Sequence, residues 1–188
     1  GYANYLFDDP ARDFSVEEKQ VFDGRTNNQG IAEIGFDMPK MPSAPGMLNA
    51  HFTTRVFEET GDFSIDVKTI PYAPFNSFVG IKLPASESNW YKTNTSYPLD
   101  IVTVDAKGNK TDRKGLEVTI YKVDWRWWWD AGEENLARYV NDKYQKPVSR
   151  KIVNTTAGTA RIPVWITHRN WRDNGRYLIY VKDPESGH

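Results

Sequence analysis

Cysteine is missing from all 188 residues. Disulfides, thiolate metal centres and cysteine nucleophiles are thereby excluded, although a chain without cysteine can live on either side of a membrane. Neither sign of charge dominates. Twenty-four Lys and Arg meet 25 Asp and Glu, for a net charge of -1 and a pI of about 6.4. No basic field is present to hold nucleic acid or an anionic membrane. No apolar run approaches the roughly 18 to 20 residues that cross a bilayer as a helix, so contact with a membrane is not expected. The chain also lacks a Gly-Xaa-Ser-Xaa-Gly elbow and a phosphate-cradling glycine loop. Its three histidines, His51, His168 and His188, stand apart with no ligand spacing between them. The expectation is a chain with no metal, no cofactor and no catalytic residue, and hence not an enzyme. It starts at Gly1 with no signal peptide in view, so it reads as a mature or excised piece of something longer.

What is present is a chain that can bury a core, with 39% hydrophobic and 26% charged residues. Its apolar residues fall in short alternating runs broken by turn residues, the pattern of an all-β protein. Strands are expected at Ile31 to Phe36, Leu48 to Phe57, Phe63 to Ile70, Phe78 to Leu83, Leu99 to Val104, Leu116 to Trp125, Ala160 to Ile166 and Arg176 to Val181. "RTNNQG" (25 to 30), "DAKGN" (105 to 109) and "NTTAG" (154 to 158) supply turns. Only "EENLARYVNDKY" (133 to 144) spaces its apolar residues as a helix would.

An internal repeat organises the rest. "GIAEI" (30 to 34) and "GTARI" (158 to 162) share Gly, Ala and Ile, each after an Asn/Thr-rich turn. Further on, "HFTTRVFEETGD" (51 to 62) and "RYLIYVKDPESGH" (176 to 188) are both extended aromatic runs that close on an acidic turn. Two copies of one antiparallel β-sandwich follow, both incomplete. Residues 1–76 would be the C-terminal part of a first module without its first strands. Residues 77–188 would be a second module without its last strand. The boundary falls at "PYAPFNS" (71 to 77), where two prolines interrupt any ladder. Cutting sandwiches in this way leaves open edges, which invite an edge-paired or strand-swapped oligomer.

The runs "LEVTIYKVDWRWWWD" (116 to 130), "NLARYVNDKY" (135 to 144) and "GRYLIYVKDPESGH" (175 to 188) resemble a macroglobulin domain of the bacterial alpha-2-macroglobulins. "FDDPARDFS" (7 to 15), "FDGRTNNQGIAEI" (22 to 34) and "NAHFTTRVFEETGDFSIDVKTIPYAPF" (49 to 75) resemble the domain before it. The resemblance covers nearly the whole chain and implies the fifth and sixth macroglobulin domains, ahead of the bait region. It implies fibronectin/immunoglobulin-like seven-stranded sandwiches in a large protease-trapping inhibitor of the periplasm or cell envelope, one that a lipoprotein signal would anchor. The family's Cys/Gln thioester has no counterpart in a chain without cysteine, and no bait loop is recognisable. What the resemblance transfers is a non-catalytic scaffold role. The partners it implies are the other domains of the same large chain and, through the whole protein, the target proteases.

"YKVDWRWWWD" (121 to 130) sets four tryptophans around Arg126. Leu116, Val118 and Ile120 share one face of a strand, whereas Trp125, Trp127 and Trp129 have the opposite parity. A β-bulge near Tyr121 or Lys122 would shift the phase. Trp125 and Trp127 would then continue the core, and Arg126 and Trp128 would face the other way as an interface, with the guanidinium stacked on an indole. Packed core, an interface to another domain and a sugar-stacking platform all remain open readings. The last would make the chain a carbohydrate-binding β-sandwich of a surface polysaccharide system. A hydrolase with unrecognised carboxylates has less support. Asp8 and Asp9 could form an acid/base or calcium pair, although "DDP" reads first as a turn. Asn94, Asn109 and Asn154 head Asn-Xaa-Ser/Thr triplets, which in a bacterial protein are turn chemistry.

Overall fold

The structure, a computed structural model, describes residues 2–10, 12, 14–86, 90–123, 147–169 and 173–188. The described chain is all-β. Its eight strands are β1 (Leu48–Phe57), β2 (Phe63–Tyr72), β3 (Ser77–Lys82), β4 (Tyr97–Asp105), β5 (Leu116–Val123), β6 (Ser149–Val153), β7 (Thr159–Val164) and β8 (Arg176–Lys182). They form three antiparallel sheets in the orders β1-β2, β3-β4-β7 and β6-β5-β8.

The second and third sheets face one another as a sandwich. Alternation along each strand decides which side chains go inside. Val79 of β3, Leu99 and Ile101 of β4 and Val164 of β7 meet Leu116, Val118 and Ile120 of β5, all at 7% exposure or less. Tyr177, Ile179 and Val181 of β8 and Val153 of β6 complete this layer. Burying a side chain of this size contributes about 1.5–3 kcal/mol, so these two inner faces hold the module together.

The outer face of β3-β4 is also covered. Phe78, Val102 and Val104 point away from the inner core and form a second cluster with Ala44 and Phe75. Over it lie Tyr2, Tyr5, Phe7, Phe14, Met41 and Leu48, so the N-terminal segment and the 41–48 turn act as a third layer. Gly80 makes room for it: a Cβ there would stand 2.6 Å from the Phe7 ring. Leu6 and Ile81 exchange two backbone hydrogen bonds, both at 2.9 Å, which adds the segment to the free edge of β3.

β1 and β2 form a two-stranded ribbon in register from Leu48↔Tyr72 to Phe57↔Phe63. The expected boundary at 76/77 lies between this ribbon and β3.

Three expectations are corrected. Ile31 to Phe36 is not a strand. Its turn does form, with Gly30 at φ 76° and the Asn27 side chain accepting the Gln29 and Ile31 N–H groups. A strand also needs a ladder, however, and no described strand pairs with these residues, whereas "GTARI" pairs with β4. Second, no β-bulge interrupts 121–122. β5 and β8 stay in simple register from Glu117↔Lys182 to Val123↔Arg176. Third, β6 was not anticipated. Ser149 and Lys151 occupy its inward positions and Ile152 is 63% exposed, so the apolar alternation that marks a strand is missing. The Lys151 ammonium holds its place by donating to the Pro163 carbonyl at 2.8 Å and lying over the Trp165 ring at 4.5 Å. The helix expected at 133–144 falls outside the described residues.

Candidate functional site: a polar junction at one end of the sandwich

The turn after β8 carries the densest polar network. Asp183 is fully buried and is the network's hub. Its Oδ2 accepts from Arg113 Nε at 2.7 Å and from the Ser77 hydroxyl at 2.9 Å. Its Oδ1 accepts from the Glu185 and Ser186 N–H groups at 3.1 and 3.2 Å. Burial opposes ionisation, but the Arg113, Ser77 and Ser186 donors outweigh it and hold the carboxyl below the usual range. Ser186 Oγ in turn donates to the Ser77 carbonyl at 2.7 Å. The start of β3, the loop before β5 and the turn after β8 are thus fastened at one buried carboxylate.

His188 lies beside this hub. Its ring packs edge-on against Phe75 and Phe78, with centroids 5.3 and 5.1 Å away. The Val79 N–H donates to Nδ1 at 3.0 Å, which leaves the hydrogen of the neutral ring on Nε2. Nε2 is buried and closes no regular hydrogen bond. Burial and then the Arg12 guanidinium push the ring down to about 4, against Asp9, the Phe7 backbone and Asp183. His188 is therefore neutral at pH 7.

Arg12 brings in the N-terminal segment. Its guanidinium lies 5.1 Å from the Phe75 ring centroid and donates to the Pro42 and Ala44 carbonyls at 2.8 and 3.2 Å. It also donates to the Gly187 carbonyl and pairs with Asp9 at 3.2 Å. One arginine therefore ties together the N-terminal segment, the 41–48 turn and the turn after β8.

The family model described as bacterial macroglobulin domain 6 matches residues 80–188, more than half of the chain. The chain belongs to the bacterial macroglobulin family. No curated protein and no solved structure matches it. The matched range holds the second half of β3 and all of β4 to β8 of the sandwich. Arg113, Asp183 and His188 of the junction belong to this macroglobulin domain, while Phe7, Asp9, Arg12 and Ser77 come from ahead of it. The junction is where the domain meets the chain that precedes it.

A second buried cluster stiffens the same end of the macroglobulin domain. Thr103 Oγ1 donates to the Thr111 carbonyl at 2.5 Å and lies 3.0 Å from Thr155 Oγ1, which accepts from the Arg113 N–H at 2.7 Å. Asp112 caps the neighbouring turn, accepting from the Gly158 N–H at 2.6 Å. These hydroxyls satisfy backbone groups that the sandwich buries, where an unmet donor costs about 1–3 kcal/mol.

Of the residues singled out from sequence, Trp125, Arg126, Trp127 and Trp128 lie outside the described residues. The three histidines are not brought together: His51 Nδ1 meets Thr69 Oγ1 across the ribbon at 2.9 Å, and the His168 N–H bonds to Asn94. Among the described residues no group of three His, Asp or Glu side chains could hold a metal. Asp8 and Asp9 are split: Asp8 lies against Gly46, while Asp9 pairs with Arg12 and its N–H bonds to the Pro45 carbonyl at 2.8 Å. The amides of Asn94, Asn109 and Asn154 all serve turns, bonding to the His168 N–H, the Asp105 carboxylate and the Gly115 N–H. Arg12, Ser77, Arg113 and Asp183 were not anticipated as a unit. The available signal was "DPES", an Asp whose carboxylate bonds the N–H groups two and three residues on.

Proposed function

We propose that this chain is a non-catalytic scaffold in a bacterial alpha-2-macroglobulin-like protein that traps proteases. The macroglobulin match over 80–188 carries the reading, since modules of this kind are generally structural. The junction supports it, because a sandwich fastened to the preceding chain by buried polar contacts can pass a displacement onward as a rigid body. Under this reading residues 1–76 are the end of the preceding macroglobulin domain, and residues 77–188 are the sixth domain without its last strand. The partners are the other domains of the same large chain and, through the whole protein, the target proteases. The place of action is the periplasm or cell envelope, with a lipoprotein anchor on the whole protein. Among the described residues β6, β7 and β8 are edge strands, and there further strands of that protein, or a second copy, would pair.

The test uses the full-length protein that contains this chain. It is incubated with a broad-specificity protease and separated on a sizing column. The expected result is co-elution of active protease that still cleaves a small chromogenic peptide but no longer digests a large protein substrate. Full digestion of the large substrate, with no co-elution, would overturn the proposal.

A further inference from the structure

The junction contains one buried titratable ring that the scaffold reading does not use. His188 is 7% exposed and packs where β3 meets the turn after β8. Phe75 and Phe78 pack edge-on against it, and its Nδ1 is the acceptor for the Val79 N–H. That N–H lies on the same outward edge of β3 as Ile81, whose backbone holds Leu6. One edge therefore has two fasteners, an imidazole and the N-terminal segment. The two are linked, because Arg12 of that segment donates to Gly187, the residue before His188.

We propose that His188 is an acid-sensitive latch that fastens the N-terminal segment to the macroglobulin domain, so that protonating its ring frees Leu6 and Phe7 from β3 and Asp9 and Arg12 from the 41–48 turn and Gly187. The chemistry is local. Nδ1 accepts a hydrogen bond only while it lacks a proton. Once protonated, it presents a donor to the Val79 donor, and the ring gains a positive charge beside the Arg12 guanidinium. Separating the ring from the segment that brings Arg12 relieves both.

The other charges around the ring set the window. From the N-terminal segment come Asp9 and Arg12, with Asp8 turned onto Gly46. From the turn after β8 come Asp183, already held by Arg113, and the more exposed Glu185. β8 contributes Tyr180, which burial raises, so it stays neutral throughout. The 71–79 stretch and the 41–48 turn contribute no charged side chain. Asp183 is held below the ordinary carboxylate value of 3.8, so it stays charged while His188 titrates. The folded ring titrates near 4 against 6.5 when free. A state with the ring freed therefore gains protons as pH falls below about 6.5. By this linkage the equilibrium for releasing the segment rises on the order of 50-fold between pH 7 and pH 4.5.

Amide exchange on the 188-residue chain tests this, with rates corrected for the intrinsic pH dependence. The expected result is loss of protection at Leu6, Asp9 and Val79 between pH 7 and pH 4.5 by about that factor, with Leu99 to Thr103 in the core unchanged. His188→Gln, whose amide oxygen can still accept from Val79 but does not titrate, should keep protection constant over the same range. Arg12→Gln removes both the neighbouring cation and the bonds to Pro42, Ala44 and Gly187, so it should lower protection of the segment already at pH 7 and leave a smaller further loss on acidification. Unchanged wild-type protection at pH 4.5 would overturn the latch, and so would a His188→Gln chain that loses protection as the wild type does. The scaffold proposal is read from protease trapping at neutral pH, so either can fail without the other.

Discussion

Arg113 Nε and Asp183 Oδ2 stand 2.7 Å apart, with the carboxylate fully buried and the guanidinium 15% exposed. The pair sits where the start of β3, the loop before β5 and the turn after β8 converge, and each remaining lone pair of Asp183 has a donor. Removing one partner of such a pair leaves a buried charge without compensation, which costs several kcal/mol. Asp183→Ala is expected to lower stability by about 3 kcal/mol. It should move the urea midpoint without changing the slope of the transition. A change below about 0.5 kcal/mol would show that the pair is not a fastener.

The same carboxylate gives an acid dependence. Its folded value lies below the ordinary 3.8, because the donors outweigh burial. Its contribution is therefore complete above the unfolded value and is lost as pH falls through the folded one. The wild-type chain should lose stability more steeply than Asp183→Asn below about pH 4, seen in melting points taken from pH 5 to pH 2.5. Parallel curves would contradict the assignment.

Gly80 is predicted to be the position that admits the third layer. A Cβ there would lie 2.6–2.9 Å from three carbons of the Phe7 ring, closer than side chains pack. Gly80→Val should expel Phe7 while leaving the opposite face of β3, Val79 and Ile81, in the core. Overpacking of this kind costs about 1–3 kcal/mol. Limited proteolysis should cut within residues 2–14 far faster than in the wild type, with β4 to β8 still resistant. Equal cutting rates would mean that Phe7 moves aside without loss.

Sequence alternation was enough to locate seven of the eight strands, because Leu99, Ile101, Leu116, Val118 and Ile120 mark a buried face directly. β6 escaped because the ladder with β5 and the stem of Lys151 define it, and apolar residues do not. Ile31 to Phe36 has the alternation but no neighbour among the described residues to pair with, and pairing is a property that no local window contains. The junction was hidden for a related reason. Its members, Arg12, Ser77, Arg113, Asp183 and His188, are far apart in sequence and meet only when the sandwich closes. The turns themselves were legible. Both acidic turns of the repeat close with a corresponding pair of bonds, one residue wider in the second: Glu58 to Asp62 and Gly61 to Glu58 in one, Asp183 to His188 and Gly187 to Asp183 in the other.

The ribbon presents an apolar face to solvent. Phe57, Phe63, Ile65 and Val67 share one side and are all more than half exposed. A contiguous patch of this kind promotes association. Ile65→Thr with Val67→Lys is expected to reduce self-association in light scattering and to leave the melting point of the sandwich unchanged, since neither residue touches its core. A fall in melting point would show that the ribbon supports the sandwich.

The two repeat glycines should differ sharply in cost. Gly30 and Gly158 have the same left-handed backbone, φ 76° and 66°, so alanine at either meets a conformational penalty of about 1–2 kcal/mol. Around Gly30 nothing lies within 4 Å. At Gly158 a Cβ would stand 2.5 Å from the Lys110 Cβ and 3.0 Å from the Thr103 carbonyl oxygen. The Gly158 carbonyl also accepts the Thr103 N–H at 2.9 Å, and its N–H donates to Asp112, so the backbone cannot shift without breaking the buried threonine cluster. Gly158→Ala should therefore destabilise the macroglobulin domain by roughly 3 kcal/mol, strain and overpacking together. Gly30→Ala should leave the melting point of the sandwich where it is, because its turn leads into no strand. Equal effects in thermal unfolding would mean that the turn conformation alone, rather than the packing around Gly158, sets the cost.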